Sequence, residues 1–516
     1  MTDAPRGALH SASLMASSRF ASLFIGLLTI PVLIRYLGGE GFAAWAVLLA
    51  LSAGFSLLEL GMPTTMVRFV AVPARDGDWT EARARFGRRW LILAASFGVG
   101  LMATLVLAAP IAAWLRLPGS PLFSAPEAIY LVFAATALRA FMKIGTLALY
   151  AARRFPEVAL VSLLQPLCAN VAAMVAASLS GRLDIALIAY WVAQLCVLGV
   201  TFLLSRRMCA PGITRDTLNM VRLRELCEYG LASQMEGWAQ FVNFQFDKFI
   251  IAGLVGLWGV APYEVANRAV VALRSVPASG AETFLPTAMT HAANRDEAWR
   301  WYVASTRIAA YGVSVFLLVP LAAAPMFLYA WTGQMGYVGR WAFVALAFGA
   351  MASVLAFPAV TLMQAAGRPG VPGKAAAYAI LLNVPLSFTL VLKWGLTGAA
   401  IGTAVAMIVS AAQLLYATHR HFDRPLAATY RVLMEFWPML LVCAGWGALT
   451  YFSYSAWFET LDPATRFARA TRAWPGIFSI AICALCLLSM FLLQLYRRAF
   501  TLEERAFLAR IARFGR

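Results

Sequence analysis

Arg139 and Lys143 stand four residues apart in an apolar stretch with no local acid to neutralise them. Four residues is about one helical turn, so both cations fall on one face of a helix. Two like charges buried on one face repel each other. They make sense if an anion visits between them, or if Glu59 or Asp247 on another helix pairs with them. Arg19, Arg268 and Arg274 are likewise set deep in apolar stretches. Such residues are costly in a membrane unless they pair or line a wet cavity. Arginine keeps its charge when buried and grips phosphate through two parallel hydrogen bonds, so a phosphate or diphosphate is the anion these cations suit.

The acids point to a second chemistry. Glu236, Gln240, Asn243 and Asp247 recur at i, i+4, i+7 and i+11, which predicts one polar helix face in an apolar surround. That face is expected to line the cavity, with Gln240 and Asn243 among the substrate-binding residues; the alternative is a polar helix–helix contact. Glu59 shares a face with Ser52 and Ser56, and Glu264 stands one turn from Arg268, which it can neutralise. A transported ion, H+ or Na+, must be taken by a carboxylate, and Glu59, Glu236, Asp247 and Glu264 are the candidates. Arg35, Arg68 and Arg307 lie near stretch ends and can reach the interface, while Lys248 either does the same or pairs with a carboxylate on another helix.

The elements that must position these groups are helices across a bilayer. Hydrophobic residues make up 61% of the 516. Fourteen apolar stretches follow one another, each about long enough to span about 30 Å of hydrocarbon. They are expected near residues 13–37, 42–66, 90–115, 126–150, 157–180, 186–207, 229–255, 262–288, 303–330, 340–365, 375–393, 396–418, 434–454 and 474–496. The fold class is therefore all-α polytopic membrane protein. The first stretch is too long for a cleaved signal and carries Arg19, so it reads as a span.

Charge sets the orientation. With the N-terminus in the cytoplasm, alternate loops carry 26 of the 42 Lys and Arg, against 7 on the opposite side. That bias places both termini in the cytoplasm. It also accounts for the net charge of +18, which in a soluble domain would suggest nucleic acid. No GxxxxGK[ST] loop is present, so ATP hydrolysis is not expected. The CxxC of Cys483 and Cys486 lies in an apolar helix, and the HxH of His419 and His421 in a basic loop has no further ligands nearby, so no metal, cofactor or catalytic residue is expected. The short outer loops leave no room for a folded extracellular domain.

A weak repeat relates Tyr150–Pro156, followed by Asn170, to Gln364–Gly370, followed by Asn383. The first hairpin turn at Leu37–Phe42 has a counterpart at Gly256–Val260. An even number of spans separates the copies, which predicts two pseudo-symmetric six-helix lobes facing each other across a cavity. The expected organisation is an N-lobe at 1–208, a linker at 209–228, a C-lobe at 229–419, a terminal helix pair at 420–496 and a basic amphipathic tail at 497–516.

The first hairpin also carries a motif. Gly26 to Trp45 runs through the turn Leu37-Gly38-Gly39-Glu40-Gly41-Phe42, then come Leu57-Leu58-Glu59-Leu60-Gly61-Met62 and Met66-Val67-Arg68-Phe69-Val70. This resembles the opening of Wzx-type polysaccharide flippases of the multidrug/oligosaccharidyl-lipid/polysaccharide exporter superfamily, with Glu59 and Arg68 at motif positions. The resemblance implies a fourteen-helix bundle that carries a polyprenyl-diphosphate-linked oligosaccharide across the bacterial inner membrane, by alternating access coupled to an ion. It implies the lipid-linked sugar and membrane lipids as partners, with polysaccharide polymerase or export machinery beyond them, and no nucleic acid. The runner-up is a drug or metabolite antiporter of the same superfamily, although organic cations suit an acidic cavity better. Flipping of lipid II is a third reading. A polymerase or ligase would need a large outer loop with catalytic Arg or His, and the chain has none.

Overall fold

The computed structural model describes residues 4–63, 65, 66, 69, 70, 79–209, 220–282, 295–368 and 370–434, with 441, 445 and 448. Every regular element among these is helical. That suits a chain of long continuous apolar runs, because a helix satisfies its own backbone where lipid offers no partner. The expected final span, most of the one before it, the amphipathic tail and Arg68 lie outside the described residues, as do the side chains of Arg19 and Glu236.

Eight helical stretches among the described residues are long and apolar enough to cross a membrane. Two of them, Ala21–Glu59 and Gly370–His421, hold two expected spans each and are interrupted at Gly38 (φ 73°) and Gly395 (φ 56°). The helix expected at 340–365 is found at Arg340–Ala365. The helices expected at 229–255 and 262–288 are also present, but they are too polar to count among the eight.

Contacts divide the chain into two units, residues 1–264 with 384–399, and residues 265–383 with 400–516. The first unit contains α1 (Ala4–Phe55), α2 (Trp79–Trp114), α3 (Ala125–Met142), α4 (Ile144–Ala151), α5 (Phe155–Ser180), α6 (Leu183–Cys209), α7 (Met220–Phe241) and α8 (Asp247–Leu254). Helices α5 and α6 pack along their length and are joined by Gly181 and Arg182 alone, so they form an antiparallel hairpin. Ala169, Ala173 and Ala177 recur every four residues on α5 and are all fully buried, a small-residue seam that permits close helix packing. Arg182 grips Asp184 through two hydrogen bonds of 3.1 and 2.7 Å at the hairpin turn, and Asp184 also accepts the backbone N–H of Leu122.

In the second unit α10 (Arg295–Val313) packs against α14 (Arg340–Ala365) and α16 (Ala427–Met434). The short helices α11 (Val319–Ala322), α12 (Ala324–Thr332) and α13 (Gln334–Val338) connect α10 to α14. Helix α9 (Leu257–Glu282) runs out of the first unit into the second, and α15 (Gly370–His421) contributes to both. His419 is buried in the second unit. Its ring accepts or donates at 2.7 Å to Thr429 Oγ1, which also meets the Tyr302 hydroxyl at 3.0 Å. The HxH is thus a structural tie for the 422–426 loop, and no cluster that could hold a metal occurs among the described residues.

Candidate functional site

The second expected span does not run through as a regular helix. After α1 the chain tightens into a 3-10 turn, Ser56–Glu59, and then Leu60 (φ 50°) and Gly61 (φ 67°) both adopt left-handed conformations. The acidic-Leu-Gly motif is therefore a helix break. Freed backbone groups are taken up locally: the Ser96 hydroxyl donates to Leu58 O at 2.8 Å, and Leu60 N donates to Leu57 O at 3.1 Å. Gly230 on α7 faces the break so closely that a methyl group there would collide with the Leu60 carbonyl oxygen.

Glu59 closes that 3-10 turn and is only 4% exposed. Across from it, Lys143 occupies the joint between α3 and α4. Lys143 Nζ lies 3.5 Å from Glu59 Oε2, with the lysine side chain 41% exposed. One turn earlier on α3, Arg139 is half-buried, and its charge also acts on Glu59. A fourth member comes from α2: Arg89 is fully buried, donates from Nη2 to Ala140 O at 2.8 Å, and adds its charge at Glu59. Among the described residues, neither Nε nor Nη1 of Arg89, nor Nε of Arg139, has a hydrogen-bond partner. Among the described residues, three cations thus surround one carboxylate, leaving an excess of positive charge with unused N–H donors.

Apolar packing holds this cluster in place. Phe55, Phe97, Phe133 and Phe141 interlock on one side through edge-on and tilted ring contacts, of which Phe55–Phe133 is the closest at 5.1 Å. Phe86, Ile144, Leu147 and Leu226 belong to a separate core that also takes in Met62 and Met66. Along α2, Arg89 falls between Phe86 of one core and Leu93 of the other. With apolar walls on both sides, the cluster's charges are less screened than surface charges would be.

Sequence alone gave Glu59, Arg139 and Lys143 without deciding how they combine, and it missed Arg89. Arg89 closes a run of arginines, Arg83, Arg85, Arg88 and Arg89, that was expected in a cytoplasmic loop. The run is helical instead. Arg85 and Arg88 pair with Glu81, at 2.8 and 3.7 Å; Arg88 and Arg89 are both buried, and Arg89 is the one whose charge acts on Glu59. The usable signal was the apolar run Trp90–Ala95 directly after it, which places Arg89 at the entry to a core.

A second buried cluster gathers Asp247, Lys248, Tyr263 and Glu264. Lys248 Nζ lies 2.6 Å from Glu264 Oε2 and 2.6 Å from Gln245 Oε1, and the Tyr263 hydroxyl donates to Asp247 Oδ2 at 2.5 Å. All four are at most 2% exposed. Lys248 therefore pairs with a carboxylate on another helix, and Glu264 is engaged by Lys248. The polar stripe expected from Glu236 to Asp247 is interrupted within its described part, the side chain of Glu236 lying outside the described residues. Residues Val242–Phe246 form a π turn, whose wider winding shifts the register. Gln240 is exposed, Asn243 half-buried and Asp247 fully buried. Arg268 and Arg274 are half-buried on the part of α9 that belongs to the second unit, and neither lacks a partner.

Residues 8–289 match the family described as polysaccharide biosynthesis protein. Nothing matches among curated proteins. Among solved structures, the chain is similar to the lipid II flippase MurJ in an inward closed conformation, with a TM-score of 0.64 at 12% identity, covering 94% of this chain and 99% of that one. It is also similar to an inward-facing multidrug resistance MATE family transporter of the MOP superfamily, with a TM-score of 0.58 at 16% identity, covering 81% of this chain and 99% of that one. At these identities the likeness is one of fold. With a family match over more than half its length, the chain belongs to the polysaccharide biosynthesis protein family, and its apolar helices make it a multi-pass membrane protein.

Proposed function

We propose that this protein flips a polyprenyl-diphosphate-linked oligosaccharide across the bacterial inner membrane during surface polysaccharide synthesis, with both termini in the cytoplasm. The observation that carries this reading is the excess of positive charge, fully buried at Arg89 and partly buried at Arg139 and Lys143, around the carboxylate of Glu59 among the described residues. A diphosphate offers this group what it lacks, several acceptor oxygens and negative charge in a compact headgroup. Glu59 holds the place of that anion when no cargo is bound. When cargo arrives, the cations are shared, and Glu59 becomes free to take up a coupling ion. Arg19, Arg268 and Arg274 remain further candidates for the headgroup, Gln240 and Asn243 for the sugar, and Glu236, Asp247 and Glu264 for the ion.

The basic cluster argues against the drug-antiporter reading, since an organic cation would meet repulsion there. Lipid II as cargo is the second reading, and the likeness to MurJ favours it. A deletion strain separates the possibilities. Accumulation of a lipid-linked polysaccharide intermediate, relieved by the wild-type gene but not by variants with Arg89 or Arg139 replaced, is the expected result. Accumulation of lipid II instead would select the second reading, and accumulation of neither would remove both.

A further inference from the structure

We propose that a cleft between α1 and α5 is a binding site for an anionic phospholipid of the bilayer, separate from the cationic cluster and independent of what the protein carries. The cleft has a volume of about 410 Å³ and is lined by Pro31, Val32, Arg35 and Tyr36 of α1 and by Met174, Val175 and Ser178 of α5. These residues recur at helical spacing on each partner, so each helix gives the cleft one continuous face. The two helices run in the same direction. Ser22 donates to Ser162 O near one end, and the cleft pairs Val32 and Tyr36 with Met174 and Ser178 farther along, an offset close to constant.

Polar and apolar character separate along this groove. Arg35 and Tyr36 are exposed at one end, with the guanidinium 5.7 Å from the tyrosine ring centroid. Ser178 stands on the facing helix at the same level, its hydroxyl donating to Val175 O. Below them the lining is aliphatic. The apolar face continues down α1 through Leu28 (49% exposed) and Phe24 (63% exposed), and down α5 through Val175 and Val171, which are also exposed. Phe24 to Arg35 spans eleven residues, or about 16 Å of helix, about the length of an extended acyl chain of a dozen or so carbons.

Charge complementarity selects the occupant. A lone guanidinium at the head of an apolar groove suits a lipid phosphate, because it can bond two oxygens at once while the chain covers aliphatic surface that would otherwise face a less regular lipid boundary. Arg35 takes no part in the ion pairs among the described residues. The occupant is therefore a bulk anionic phospholipid such as phosphatidylglycerol, held by one phosphate and one acyl chain.

The test uses the full-length protein in nanodiscs containing a photoactivatable phosphatidylglycerol or, separately, a matching phosphatidylcholine, with cross-linked peptides mapped by mass spectrometry. Labelling of the 24–36 and 171–178 segments by phosphatidylglycerol, at least threefold above phosphatidylcholine, is expected. Arg35→Gln is expected to erase that preference. Val175→Trp, which fills the cleft, is expected to cut labelling by both lipids there, whereas Leu204→Trp on another exposed helix position should not. Equal labelling by the two lipids, or labelling unchanged in both Arg35→Gln and Val175→Trp, would overturn the proposal. Displacement of the label by polyprenyl diphosphate at stoichiometric amounts would also overturn it, by making the cleft part of the cargo route. Because the readout is lipid contact and not polysaccharide output, its failure leaves the proposed transport function untouched, and failure of that function leaves the cleft's lipid preference to stand or fall by itself.

Discussion

Lys143 Nζ stands 3.5 Å from Glu59 Oε2, and each residue occupies an interruption in its own helix. Seven residues earlier on both strands of this contact, Ser52 and Thr136 share a hydrogen bond of 2.8 Å. The two rungs show that these helices run parallel, about 10 Å apart in rise along the axis. At the first rung both helices are regular, and at the second both are broken. An ion pair at paired breaks joins the two places where the backbone can bend with least loss of hydrogen bonding.

Replacing Glu59 by Gln is expected to cost about 1–3 kcal/mol, because it removes the negative charge that acts on buried Arg89 and on part-exposed Lys143. Thermal unfolding in detergent, with and without a diphosphate-bearing lipid, measures it. The lipid should restore more stability to the variant than to the wild type, since it supplies the missing negative charge. In proteoliposomes the same variant is expected to lose the dependence of transport on an ion gradient. Retained coupling would move that role to Glu236, Asp247 or Glu264.

Arg89→Lys tests whether charge alone suffices. Lysine keeps the positive charge but has no planar fork to bond Ala140 O and an anion together. Surface polysaccharide normalised to protein level is expected to fall at least tenfold, and a comparable fall is expected for Arg139→Ala and for Lys143→Ala. Normal output in all three would remove the cluster from the cargo path.

The break after Glu59 makes a separate prediction. Gly61→Ala forces a side chain into the left-handed region and should destabilise the protein by about 1–2 kcal/mol. Gly26→Ala, in helical backbone with open space around it, serves as the control and should be neutral or stabilising by up to about 1 kcal/mol. Gly230→Ala should be the most damaging of the three, because its methyl group would strike the Leu60 carbonyl oxygen. Melting temperatures of the three purified variants decide the order.

How far the sequence carried the fold depended on whether the signal was local. Hydropathy located Arg340–Ala365 to the residue, because an apolar run bounded by Gly339 and by Ala366-Gly367 is a local property. The same reading passed through Ser56–Gly61 as if it were continuous helix, since every residue there but Ser56 and Glu59 is apolar or small and nothing in hydropathy registers a positive φ. The π turn at Val242–Phe246 was equally silent, having neither Pro nor Gly, and it shifts the register between Gln240 and Asp247. At the site, Arg139 and Lys143 were legible because cations are rare in apolar runs. Arg89 was hidden because it abuts three other arginines, and charge counting cannot tell which member of a run turns inward.

The second buried cluster separates a structural pair from a working one. Lys248→Met takes the ammonium from the Glu264 carboxylate, which is 2% exposed, and is expected to cost about 3–5 kcal/mol. Adding Glu264→Leu removes the buried charge as well, so the double variant should recover most of that loss. Tyr263→Phe takes the donor from Asp247 and should cost about 1–3 kcal/mol. Unfolding midpoints give the coupling energy between Lys248 and Glu264, and polysaccharide output of the stable double variant gives the rest. If output is normal, the pair only holds α8 to α9. If output is lost while stability returns, these buried charges serve transport, and Glu264 rather than Glu59 becomes the leading carboxylate for the coupling ion.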